Sequence, residues 1–250
     1  MVLTGQPRPR PSLMLVPGLR SLPFWTSFDG KANRVAYQDP LVGKVVKHLE
    51  SNYELIRQEY IEKSKSVFSD YDVSGRGGEH ADDALHKGTW DWHSYMLKGK
   101  VQAQFIQHFG ATASILQQLR DDDVLFEGTP FGFAFLSRLA GKSSIQPHTA
   151  PMNFRLRLHL PLVVPPEEGH SSYPQCGIRV GSSVQRWVEG KALVLDDSYE
   201  HEVWNDTDSE RVLLLVDVWH PDLKAEEKSQ ITGMFLHAQE QGWLKDGDRE

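Results

Sequence analysis

A mainly β fold with flanking helices, its core a jelly roll, is what this 250-residue sequence predicts. Three observations point there. From Phe154 to Leu162 the alternation is strict: Leu156, Leu158, Leu160 and Leu162 take one face, and Arg155, Arg157 and His159 the other. "CGIRVG", "RWVEGKALVLD" and "RVLLLVDVWH" follow as further short strands joined by polar turns, the spacing of a sandwich or barrel. Helical periodicity is confined to the stretches before and after these strands.

Taken in order, "MVLTGQPRPRP" is proline-rich, and residues 1–15 read as a mobile arm ahead of one domain over 16–250. Within that domain the sequence divides into helical support over 39–120, a jelly-roll core over 124–221 and a C-terminal helix over 222–243. Asp39 is a good N-cap and Pro40 suits the first helical position. Leu41, Val45, Leu49, Tyr53, Ile56 and Tyr60 then form one apolar stripe at helical spacing. "DVSGRGGEHADDALHKG" (Asp72 to Gly88) is glycine-rich and charged, so it reads as a loop, with His80 and His86 at the surface. A second helix is expected from about Gln102 to Leu119. Phe131, Phe133 and Phe135 alternate with smaller residues, as in a strand.

Bulk properties narrow the function classes. With 39% hydrophobic and 24% charged residues the chain is an ordinary globular protein rather than a disordered one. A net charge of -7 argues against a general nucleic-acid binder. The one cysteine, Cys176, excludes an internal disulfide and a cysteine zinc site, and it fits a reducing compartment. No apolar stretch approaches a membrane span, and "SLMLVPGL" is too short and too broken for a secretory segment, so a cytoplasmic location is expected.

Chemistry concentrates around the alternating strand. Its polar face carries three groups that can be cationic. Pattern alone favours a solvated face; the alternative is a cavity that grips an anion, for which arginine is suited. His148 lies just before this strand, in "QPHTAPMNF". Many iron oxygenases take two ligands from a His-x-Asp pair, but here the third position is Ala150. A second histidine, His201, follows a tight turn in "LVLDDSYEHEVWND", and Arg211 opens the last apolar strand. Two histidines on separate strand ends can converge on one metal, and imidazole suits iron, zinc or copper about equally. Asp197 is placed to orient such a site. The bland alternative for "DDSYEH" is a polar turn.

The stretches "PHTAPMNFRLRLHLPLVVP", "WVEGKALVLDDSYEHEVWND" and "LLLVDVWHPDL" resemble the aspartyl/asparaginyl β-hydroxylase family of 2-oxoglutarate-dependent oxygenases. The likeness runs from about Val16 to Leu223 and is closest from Ser137 to Leu223; "PGLRSLPFW" fits more loosely. The resemblance implies a double-stranded β-helix core, Fe(II), 2-oxoglutarate and O2. It implies His148 and His201 as the metal ligands, with a small residue where the carboxylate would be. Ala150 departs mildly from the family's usual glycine. Arg211 and Ser137 match the groups that hold the distal carboxylate of 2-oxoglutarate. Arg157 and His159 match residues near its other end and the substrate acid. Arg155 is expected to grip a substrate carboxylate, and Asp197 to stand beside a metal-bound water.

The implied reaction hydroxylates a C–H bond of an Asp/Asn-like residue or a small carboxylate-bearing molecule, releasing succinate and CO2. The expected partner is a small molecule or peptide with a carboxylate or amide, with neither nucleic acid nor membrane. The family name implies targets in disulfide-rich extracellular modules. The absence here of a signal peptide or anchor favours instead a cytosolic peptide, a free amino acid or a small acidic natural product. Two further readings compete. One is a tailoring enzyme of a natural product, including a halogenase in which the Ala150 position admits chloride. The other is a non-catalytic jelly-roll binding protein.

Overall fold

The computed structural model describes residues 14–26, 35–64, 69–70, 85–166 and 173–244. His80 and residues 167–172 of the loop between Pro165 and Gln175 lie outside them, as do the first thirteen residues of the expected arm. Of that arm Met14 is placed: its N–H donates to the Pro151 carbonyl and it bridges to Met152.

Three helices come first: α1 (Val35–Gln38), α2 (Pro40–Ser51) and α3 (Tyr53–Lys63). Asp39 caps α2 by accepting from the Leu41 and Val42 amides at 3.0 Å each. The single apolar stripe read from the sequence is divided, because Asn52 leaves the helical conformation (φ -101°, ψ 6°) between α2 and α3. The Asn52 side chain donates to the His48 carbonyl and closes off the first helix.

Strands β1 (His86–Lys87), β2 (Trp90–Leu97) and β3 (Lys100–Val101) follow. Lys98 and Gly99, both at positive φ (52° and 74°), turn β2 into β3. The second expected helix is also two, α4 (Ala103–His108) and α5 (Gly110–Asp121), broken at Phe109. Buried Glu59 of α3 accepts from the Ala111 and Thr112 amides and so caps the start of α5.

The remaining strands are β4 (Ala134–Leu139), β5 (Ser143–His148), β6 (Arg155–Val163), β7 (Cys176–Val180), β8 (Ser183–Gln185), β9 (Leu193–Leu195), β10 (His201–Asn205) and β11 (Arg211–Trp219). Phe131 and Phe133 precede β4 rather than belonging to it. Helix α6 (Ala225–Glu240) is the last element, shorter than the 222–243 expected. Among the described residues no helix is long and apolar enough to cross a membrane.

The strands form two antiparallel sheets, ordered β1-β5-β10-β7-β8 and β3-β2-β4-β11-β6-β9. This is the jelly-roll arrangement. The period-two pattern decides what each face meets. Leu156, Leu158, Leu160 and Leu162 of β6, with Val212, Leu214, Val216 and Val218 of β11, pack in one core with the helices. The alternate residues of the same strands turn toward the other sheet. That overturns the solvated face that pattern alone favoured: Arg155 is 4% and His159 5% exposed. Helices cover one side of the larger sheet, so the polar face of β6 is left facing inward.

Candidate active site between the two sheets

Two ligand-type histidines are brought together by strand pairing. His148 ends β5 and His201 begins β10, and the two are register partners. A β-bulge between His201 and Val203 sets this pairing. Their rings lie 4.1 Å apart, centroid to centroid. Each Nδ1 meets a carbonyl two residues earlier: His148 with Gln146 at 2.7 Å, His201 with Tyr199 at 2.9 Å. A carbonyl can only accept, so in the neutral rings both Nδ1 atoms carry the proton and both lone pairs sit on Nε2. Burial, and then His148 alongside, lower the pKa of His201 to about 3, which holds it neutral. Ala150 is buried, and its amide donates to the Asp197 carbonyl at 2.8 Å. The residue in the carboxylate's usual place is thereby tied to the turn that precedes His201. Among the described residues no group of three or more His, Cys, Asp or Glu is arranged to hold a metal.

Both histidines line a cavity between the sheets. Trp90, Ile145, Ile178, Trp187, Val203, Leu213 and Leu215 give it apolar walls, while Ser137, Arg157, His159 and Arg211 supply polar groups. Arg211 is 1% exposed. Its guanidinium lies 4.9 Å over the Trp187 ring and its Nη1 donates to Ser137 Oγ at 3.4 Å. Burial lowers its pKa to about 10. Among the described residues its Nε has no hydrogen-bond partner, and neither does Nε2 of His159. The Trp187 indole, which can only donate, meets His159 Nδ1 at 3.3 Å, so the proton of His159 is on Nε2. Burial, then Arg157 and Arg211, hold His159 neutral, far below the ordinary imidazole value. Two unsatisfied buried N–H donors, one of them cationic, therefore belong to this cavity. Anionic oxygens are the acceptors that such donors suit.

Arg155 and Arg157 do not stand as two open cations. Arg155 donates from Nη2 to Asp197 at 2.6 Å, from Nη1 to Asp217 at 2.8 Å, and to the Phe131 carbonyl. Arg157 grips Asp217 with two bonds, of 2.8 and 2.9 Å, and reaches Asp197 at 3.4 Å. Burial pushes the Asp197 carboxyl up, but the two arginines outweigh it and hold it well below the usual carboxylate range. In this arrangement Arg155 is committed to internal carboxylates. A substrate acid would reach it only in exchange for one of them.

Sequence reasoning missed Asp217, although it quoted the strand. The signal was present: Arg211, Leu213, Leu215 and Asp217 share one face of β11, and Asp217 is the one carboxylate in a nine-residue apolar strand. Trp90 and Trp187 were missed as cavity walls, and no local signal marks them.

The donor set fits a divalent metal on two imidazoles beside a dicarboxylate. The family model described as Aspartyl/Asparaginyl beta-hydroxylase matches residues 50–221. The aspartyl/asparaginyl beta-hydroxylase of Mus musculus is 33% identical over 223 residues, which cover 88% of this chain and 26% of that protein. Aspartate beta-hydroxylase domain-containing protein 2 of Mus musculus is 27% identical over 237 residues, 93% of this chain and 61% of that protein. The ornithine lipid ester-linked acyl 2-hydroxylase of Rhizobium tropici is 50% identical over 74 residues, 30% of this chain and 25% of that protein. The chain thus spans about a quarter of the length of the first of these relatives. Because the family match encloses every cavity residue, from Trp90 to Leu215, and covers most of the chain, this protein belongs to the aspartyl/asparaginyl β-hydroxylase family.

Proposed function

We propose that this domain is an Fe(II)- and 2-oxoglutarate-dependent dioxygenase. It hydroxylates a C–H bond of an Asp/Asn-like residue or a small carboxylate-bearing molecule, and releases succinate and CO2. The observation that carries the reading is the pairing of His148 with His201 at one cavity that also contains the buried guanidinium of Arg211. His148 and His201 would hold the iron through Nε2. Arg211 and Ser137 would hold the distal carboxylate of 2-oxoglutarate, with Arg157 and His159 nearer its other end. Iron and cosubstrate, when bound, supply the oxidising chemistry.

The chain's own contribution is binding, aim and exclusion of water. The two Nδ1–H bonds to Gln146 and Tyr199 fix both imidazole planes before any metal arrives. Arg211 meets its carboxylate in a wall of apolar side chains, where a charge-assisted bond is strong. His159 stays neutral and offers Nε2–H as a donor without adding charge. Asp197, locked by Arg155, stands close enough to His201 to act on its field.

The test is anaerobic addition of Fe(II) and 2-oxoglutarate to the purified protein, followed by visible absorption. A charge-transfer band that is absent in His148→Ala and in His201→Ala is the expected result. If fresh, folded protein shows no band, the domain is a jelly-roll binding protein instead. In the presence of chloride, product mass separates hydroxylation from halogenation.

A further inference from the structure

We propose that Asp217 is a positioning residue whose charge shields a metal dication at His148 and His201 from the arginine pair of β6. The inference rests on the reading that these histidines hold a metal.

Asp217 is fully buried, and it is not among the cavity's lining residues. Its backbone is fixed on both sides: the amide donates to the Phe133 carbonyl at 2.9 Å and the carbonyl accepts from the Phe126 amide at 3.0 Å. It stands opposite Arg157 in the β6–β11 register. Its carboxylate takes three charged donors, two from Arg157 and one from Arg155. It touches neither histidine in these pairings, so any effect it has on them passes through the arginines and Asp197.

Charge arithmetic gives the effect a sign. Arg155 and Arg157 contribute two positive charges, and Asp197 and Asp217 two negative ones, so the cluster is neutral. Arg211 adds one further cation to the cavity that Arg157 and both histidines line. A metal held by two neutral imidazoles brings no ligand charge to offset its own. In a buried site such charges are weakly screened, and each uncompensated cation opposes a dication. Asp197 alone would have to answer both arginines. Asp217 takes Arg157 bidentately and leaves Asp197 paired mainly to Arg155, its carboxylate still near His201.

The experiment is titration of the metal-free protein with Co(II), without cosubstrate, read by visible absorption. Four proteins are compared: wild type, Asp217→Asn, Arg157→Gln and the double variant. Asp217→Asn leaves the cluster with one excess positive charge and should weaken Co(II) by about tenfold or more. Arg157→Gln leaves one excess negative charge and should tighten Co(II). The double variant is neutral again and should return to within about threefold of wild type. A merely structural role would weaken all three variants. Asp217→Asn binding like wild type, or Arg157→Gln binding more weakly, overturns the proposal. If Asp217→Asn fails to fold, by thermal unfolding, the sign of the Arg157→Gln shift decides alone. A wild-type protein that binds no Co(II) overturns the metal-site reading and this inference with it, whereas a binding wild type with unmoved variants overturns the inference only.

Discussion

Arg211 separates the two halves of the proposed site better than any other side chain. It lies in the same cavity as both histidines yet pairs with no carboxylate among the described residues. Substituting it should therefore act on the cosubstrate and spare the metal. For Arg211→Gln we expect 2-oxoglutarate binding to fall by about ten- to a hundredfold, the range of one charge-assisted pair, with Co(II) affinity within about threefold of wild type. Isothermal titration of both ligands checks it, and equal loss of both would point to a collapsed cavity. Ser137 is the supporting partner: its hydroxyl accepts from Trp90 Nε1 at 2.9 Å and from Arg211 Nη1. Side chains such as His148, His201 and Arg211 were legible in the sequence because a recognisable motif surrounds each. The neutrality of His201, and the commitment of Arg155 to Asp197 and Asp217, were not. Those depend on which carboxylates cross from another strand, and one sequence gives no register for that crossing.

At the scale of elements, the segment from Met14 to Thr26 ties together the two turns that carry the histidines. Val16 exchanges two hydrogen bonds with the Asn153 side chain, each of 2.9 Å, just beyond His148. Further on, Ser21 Oγ meets the Tyr199 hydroxyl at 2.8 Å, the Asp196 amide donates to the Pro23 carbonyl, and Phe24 bridges to Leu195, just before His201. Arg20 anchors the middle, with two bonds to Asp222 from Nε and one to Asp39 from Nη2. Asn153→Ala should cost about 1–3 kcal/mol in urea unfolding, because it strands both polar groups of Val16. It should also speed amide exchange over Met14–Thr26 while leaving the β6–β11 amides protected. Unchanged exchange in the segment would mean that the Arg20 and Phe24 contacts hold it without Asn153. The sequence suggested this segment only loosely, through "PGLRSLPFW". The breaks at Asn52 and Phe109 were also invisible to periodicity, since the apolar stripes run on across Asn52 and through Phe109 while the backbone turns. The strands were read more closely than the helices, because alternation along β6 is set by the two different layers it separates.

The whole molecule packs several neutral imidazoles into its interior, and this fixes how its stability depends on pH. His159 lies between the sheets and is held far below the ordinary value by burial, then by Arg157 and Arg211. His220 is fully buried beside Trp25, and burial lowers it as well. Its Nδ1 accepts from the Asp222 amide, so its Nε2 donates to the Arg20 carbonyl. In the unfolded chain both rings titrate near 6.5. Below that pH the unfolded state binds protons that the folded state refuses, so stability rises with pH in this window and is lost as pH falls below about 6.5. Asp197 acts in the same direction lower down: its folded pKa is depressed, so its contribution is present above 3.8 and is lost as pH falls further. Urea midpoints of the metal-free protein should therefore be level from pH 8 to 7 and decline from pH 6.5 to 5. The slope should approach about 1.4 kcal/mol per pH unit for each proton taken up, and His201, also lowered by burial, adds to the decline alongside His159 and His220. His220→Gln should make the decline shallower. A profile that stays flat to pH 5 would mean that both rings already accept protons in the fold, and the neutral donor assigned to His159 at the cosubstrate end of the cavity would have to be given up.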